Sequence, residues 1–446
     1  MPDNILSTIF DLVCREPGDW FDVDEEYLEQ ENLSLVCRRF RNIISNSPHL
    51  WNNITINTRT NIDKVNLLLR KSKSAGLEVE LFNDEPLTTL VPDTSLEQLL
   101  AALHHSSRWE FLELDLTNRH VEWLGEKVEL LQDLHLPRLQ SLAIYYPFPG
   151  DPYPASWQIY KTCKLEMLRS FRIVNVIPEP FTSPLLTTFF IELYDTELAT
   201  NNLLDFLSAN PTLEDIHISL SRTIVIGTRV VRDVELKNVR VLEFSMSDVS
   251  LSKLYPFRKA LYTPKVSELT LFIGPDSEEK SEEGEDGLRQ RTPEELTGPH
   301  DYIGFIFCHK SYPCLKQFFY IYNGDGTRTY ELPFEKLPML RVLSLRTKGL
   351  LPSTERLGTL PPLLRIHVYC ETQLEKGWVV WFQHLRRQMM KQGILSSFEK
   401  LYIVYHDYHE SVDSYFGERV AWTNNHWGIP ELRRPLCYSW ENINLP

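Results

Sequence analysis

The chain has 446 residues, 42% of them hydrophobic, and a formal net charge of −15 at pH 7. That length exceeds one ordinary compact domain, and the apolar fraction excludes wholesale disorder. Residues 16–31 hold eight acids and no Lys or Arg, and 276–300 net −6, so these two segments carry −14 of the charge. The remainder is nearly neutral and lacks a basic stripe, which argues against nucleic acid as a partner.

In chain order, Pro2 suits a first helical turn, and Asp3 complements the positive end of the helix dipole. Ile5, Leu6, Ile9, Phe10 and Val13 follow at three- and four-residue steps, which predicts an amphipathic helix stopped by Pro17-Gly18. No basic residue precedes this apolar run, so a secretory leader is not expected. Leu33, Leu35, Val36, Phe40, Ile43 and Ile44 again have helical spacing, which predicts a second helix ended by Pro48. Leu50 and Trp51 then need a pocket.

The opening P-D-N-I-L-S-T-I-F, the run L-S-L-V-C-R-R-F-R and the close P-H-L-W together resemble an F-box, the helical hook that binds the Skp-type adaptor of a cullin ubiquitin ligase. The alternative is an unrelated helical cap on a larger domain. Met1 stands directly before Pro2, where family members carry further residues. The acidic insert 16–31 is longer than in compact members and is similar to the inserted F-boxes of mushroom-forming fungi. The resemblance implies that Pro2, Ile5, Leu6, Ile9, Leu35, Val36, Cys37 and Phe40 divide between an adaptor interface and the small domain's own core. Residues 1–57 form this segment.

From residue 58 to 405 one phrase recurs eleven times: apolar, two residues, apolar, one residue, apolar. Full copies include Leu168, Phe171, Ile173; Leu213, Ile216, Ile218; Val266, Leu269, Leu271; and Leu340, Leu343, Leu345, with a weaker copy at Trp109, Leu112, Leu114. Starts from 186 to 266 lie 27, 26 and 27 residues apart, inside the leucine-rich-repeat window of about 20–29 residues. The last two apolar positions of each copy are two apart and so share one side of a strand. Many copies begin just after a Pro. Helix-like runs lie between them at 96–105, 202–207, 251–261 and 379–390.

The expected fold is therefore α/β: a short helical F-box followed by a curved leucine-rich-repeat-like solenoid of strand–helix units. An ordinary α/β domain with a parallel sheet competes with it. The resemblance covers about 77–405. The family's turn Asn stands only at Asn323; Tyr194, Ser221 and Gly274 occupy equivalent places, so the turns must be held in another way. In such arrays the residues interleaved with the strand apolars line the binding face. Here these are Tyr145, Arg172, Glu192, His217, Glu243, Phe272, Phe319, Arg346, His367, Tyr369 and Tyr402. Aromatics with Arg and His are types that anchor protein interfaces.

Residues 276–300 read as a disordered acidic loop and 406–446 as a C-terminal cap over the last core layer. No apolar run approaches the roughly 20 residues a membrane helix needs. Seven scattered cysteines without a C-x-x-C pair suggest reduced thiols in cytosol or nucleus. His406-Asp407-Tyr408-His409-Glu410 gathers two imidazoles and two carboxylates, but its spacing is that of a surface turn. Cys308, His309 and Cys314 lack a paired second half, and Asn323-Gly324-Asp325-Gly326 reads as a tight turn. No catalytic, metal or cofactor site is expected. Three functional readings follow. The first is a substrate-recognition subunit of a Skp–cullin–F-box ligase, with an adaptor, a cullin and a target protein as partners. The second is a repeat scaffold with a vestigial F-box, and the last a metal enzyme or hydrolase using 406–410.

Overall fold

A computed structural model describes residues 1–15, 29–57, 60–82, 95–115, 127–146, 158–226, 233–249, 251–274, 299–307, 312–323, 329–347, 350–355, 357–370, 375–405 and 436–438. The chain is mixed α/β and falls into two compact units, Met1–Glu192 and Leu193–Pro446.

The first unit begins with α1 (Asp3–Arg15), α2 (Glu29–Val36) and α3 (Arg38–Ser45), then a 3-10 turn at Pro48–Trp51. Helix α1 ends just before Pro17-Gly18, as expected. Leu33 to Ile44 form two helices rather than one. Cys37 is extended (φ −160°, ψ 166°), and its Sγ accepts from the Phe40 amide, so it closes α2 and caps α3. Glu29 and Glu31 of the expected insert already belong to α2; 16–28 lie outside the described residues.

Leu6, Phe10, Ile43 and Ile44 are buried among these helices, with the Phe10 and Phe40 rings edge-to-face at 4.8 Å. Trp51 is also buried and donates Nε1–H to the Ile44 carbonyl at 3.0 Å. Arg39 ties α3 to the start of α1 through Asp3, Nε to Oδ1 2.8 Å.

Strands β1 (Asn53–Ile56), β2 (Leu77–Phe82), β3 (Trp109–Asp115), β4 (Ser141–Tyr145), β5 (Ser170–Val174) and β6 (Thr188–Tyr194) pair in sequence order, all parallel. Helices α4 (Ile62–Lys71) and α5 (Ser95–Leu103) connect the first three; Asn61 caps α4 by accepting from the Asp63 amide at 2.8 Å.

The second unit adds β7 (Glu197–Ala199), β8 (Asp215–Ser221), β9 (Ile224–Ile226), β10 (Val234–Glu235), β11 (Val241–Ser247), β12 (Leu261–Tyr262), β13 (Glu268–Ile273) and β14 (Gln317–Tyr322). It continues with β15 (Thr329–Tyr330), β16 (Val342–Thr347), β17 (Leu351–Pro352), β18 (Arg365–Cys370), β19 (Lys400–Tyr405) and β20 (Leu436–Tyr438). Its main sheet runs β8-β11-β13-β14-β16-β18-β19, all parallel, and β20 closes it antiparallel to β19. That edge strand lies within the expected cap; 406–435 lie outside the described residues.

The helices Ser95–Leu103, Thr200–Ala209, Leu251–Ala260 and Glu375–Lys391 match the helix-like runs expected between strands, whereas Pro299–Phe307 is not among them. Pro299 and His300, placed in the expected acidic loop, start a helix instead, since Pro fits a first turn. The rest of that loop lies outside the described residues.

One local grammar builds many units of the sheet. The first apolar residue of such a copy closes a turn, with Pro pre-setting φ at the second position. Thus Leu213 N–H donates to Asn210 O across Pro211 (3.3 Å), and Leu340 N–H to Leu337 O across Pro338 (3.1 Å). One carbonyl then accepts two amides of the next copy: Arg341 O takes Leu364 and Arg365 at 2.8 and 3.0 Å.

At the strand exits Asn175, Asp195, Arg222 and Asp248 adopt φ of 55°, 49°, 48° and 52°. Asn175 and Arg222 pass their amides to Glu192 O and Ser247 O at 2.7 and 2.9 Å. A left-handed residue, not a side-chain Asn ladder, holds these turns. In the core, Ile216, Leu242, Leu269, Phe318, Leu343, Ile366 and Leu401 line up across the sheet, all buried, each contributing about 1.5–3 kcal/mol.

Candidate functional site

Side chains alternate along each strand, so the residues between the core apolars of the second unit share the opposite face. Register sets them in three rows. The first is Asp215, Val241, Glu268, Gln317, Val342, Arg365, Lys400; the second is His217, Glu243, Thr270, Phe319, Ser344, His367, Tyr402. The third includes Ser245, Phe272, Ile321, Arg346 and Tyr369. Eight expected binding-face residues, His217, Glu243, Phe272, Phe319, Arg346, His367, Tyr369 and Tyr402, thus lie on this one face, all half-buried.

At its β8–β11 end, His217 is gripped between Asp215 (Nε2 to Oδ1 2.9 Å) and Glu243 (Nδ1 to Oε2 3.1 Å). Burial opposes its protonation, but the two carboxylates win and raise it to about 10, so it is an imidazolium at neutral pH. Burial, then Asp215 and Glu243, push the Glu268 carboxyl up.

At the other end, burial and then Arg365 push His367 down, and its ring meets Tyr402 edge-to-face at 4.8 Å. Burial lowers Arg346, with Tyr369 acting against it. Ser344 is only 7% exposed, and neither its Oγ nor the His367 Nε2 has a hydrogen-bond partner. Two buried polar groups on facing residues therefore stand unsatisfied.

Tyr145 and Arg172 sit on the corresponding face of the first unit. The Arg172 guanidinium lies over the Tyr145 and Phe190 rings, 5.3 and 4.4 Å from their centroids. Beside it, burial, Glu80 and Asp115 lift Glu113 to about 7 against the pull of Arg172; burial, then Glu113, lifts Tyr145 to about 12. Glu80, Glu113, Phe190 and Ser344 are not among the residues expected from the sequence. Glu113 between Leu112 and Leu114, and Ser344 between Leu343 and Leu345, obey the same interleaving rule and are legible by it.

The N-terminal helices present a different surface. Leu6 is buried and Phe40 half-buried in their own core, whereas Pro2, Ile5, Ile9, Leu35, Val36 and Cys37 are exposed. Leu35 and Val36 are 73% and 65% exposed, and Leu12 61%. Of the thirteen large apolar side chains exposed among the described residues, seven lie at or before Val36. Cys14 is a half-buried thiol raised to about 11 by burial, with Glu29 and Asp11 adding, so it is a poor nucleophile.

Residues 406–410, Cys308 and His309 lie outside the described residues, and Cys314 is an exposed free thiol. Among the described residues no group of three or more His, Cys, Asp or Glu could hold a metal ion, and no helix is long and apolar enough to cross a membrane. No family model matches the chain, and no curated protein matches it.

Proposed function

We propose that the chain is a substrate-recognition subunit of a Skp–cullin–F-box ubiquitin ligase. Its first 57 residues dock on a Skp-family adaptor, and its strand–turn–helix units form a leucine-rich-repeat-like array that holds a target protein. The observation that carries this reading is the concentration of exposed apolar side chains on α1 and the end of α2. Water-exposed Leu35, Val36, Leu12, Ile9 and Ile5 cost free energy alone and gain it when a partner covers them. The in-register rows support the array, and the interleaved Arg, His and aromatic residues suit a protein partner. The chain's contribution to ubiquitin transfer is then proximity, with the chemistry done by partners.

The test is titration of the full chain with a purified Skp-family adaptor. Saturable binding is expected, weakened roughly a hundredfold by Leu35→Asp with Val36→Asp, two apolar anchors whose loss costs more than about 1 kcal/mol each. No binding at micromolar adaptor, or binding that ignores the double substitution, overturns the proposal.

A further inference from the structure

The charges on the strand face of the second unit are sorted by strand. Strands β8, β11 and β13 place Asp215, Glu243 and Glu268 on it, with no Lys or Arg; β16, β18 and β19 place Arg346, Arg365 and Lys400 on it, with no carboxylate. Between the poles lie Phe272, Phe319 and Ile321, half-buried and apolar. Charges that merely solvate a sheet face would alternate in sign across neighbouring strands, because opposite charges stabilise each other and like charges repel. Here like charges are neighbours, and Glu268 feels the repulsion of Asp215 and Glu243. His217 lies between two of the carboxylates, and Glu399 pairs with Arg365 at 3.0 Å. The unsatisfied Ser344 Oγ and His367 Nε2 lie at the basic pole.

We propose that this face is a two-pole docking strip for an extended segment of a partner protein, with a basic residue over Glu243 and Glu268, apolar side chains over Phe272 and Phe319, and an acidic residue over Arg346 and His367. From β11 to β18 is four strand steps of about 4.8 Å, or about 19 Å. An extended chain covers that in about six residues at roughly 3.3 Å each. Carboxylate oxygens of the acidic residue can accept from Arg346. The strip rests on the receptor reading only in making this partner the ligase target.

The experiment is selection of a random heptapeptide display library on the full-length chain. Enriched peptides are expected to carry Lys or Arg near one end, Asp or Glu near the other and apolar residues between. Selection on Arg346→Glu should replace the acidic end by a basic one, and selection on Glu243→Lys the reverse. Should either swap unfold the chain by circular dichroism, Arg346→Gln and Glu243→Gln each weaken the best wild-type peptide by roughly tenfold instead.

No enrichment, the result if the chain's own residues cover the strip, overturns the proposal. So does a pattern that ignores these substitutions. Adaptor binding of the same variants is read separately: its loss in Leu35→Asp/Val36→Asp with selection intact tests the docking helices alone, so either reading can fail without the other.

Discussion

His217 carries a charge that its burial opposes, and the two carboxylates flanking its ring decide the balance. Its pKa rises from an ordinary 6.5 to about 10 on folding, so the folded chain holds a proton that the unfolded chain releases. That contribution is complete below about pH 6.5 and is lost as pH climbs through about 10. Accordingly, His217→Gln should lower the unfolding temperature at pH 7, and the gap to wild type should close by about pH 10.5. A gap that stays constant over that range would show that the imidazolium adds nothing.

Single residues are also where the sequence is hardest to read. Nothing in the spacing of Leu33 to Ile44 marks Cys37 as a break, because helical periodicity runs through it; the break depends on backbone conformation and a sulfur cap. Interleaving places Ser344 on the face opposite the core, but the unpaired state of its hydroxyl shows only in the structure.

At the scale of elements, the period-two apolar pairs make the strands legible. Leu343 and Leu345, predicted to share one side, are both fully buried. The chemistry of the connections is less legible. Pro before the first apolar of a copy points to an entering turn, which the Leu340–Leu337 hydrogen bond realises. The exits stay hidden because Arg222, a residue with no special preference for left-handed backbone, adopts φ 48° through the geometry of the sheet.

The register makes a direct prediction. Leu343→Ala leaves a cavity in the middle of the seven-residue core row and should destabilise the second unit by about 2–5 kcal/mol in chemical denaturation. A change under about 0.5 kcal/mol, typical of surface positions, would contradict the burial of that row.

For the molecule as a whole, composition alone localises the charge: −14 of the −15 lies in two segments, which leaves the repeats nearly neutral. Both units carry a parallel sheet with one face committed to the core, while the exposed apolar residues concentrate on the N-terminal helices. Resemblance alone could not divide the outward residues of these helices from the inward ones; burial does, assigning Leu6 and Phe40 inward and Ile5, Ile9, Leu35 and Val36 outward.

The central claim is that those outward residues meet an adaptor. Hydrogen–deuterium exchange of the full chain with and without a purified Skp-family adaptor tests it most directly. Slower exchange confined to peptides covering α1, α2 and α3, with the strands of both sheets unchanged, is the predicted result. Unchanged exchange in those three helices at saturating adaptor, or protection on the strands instead, would contradict it.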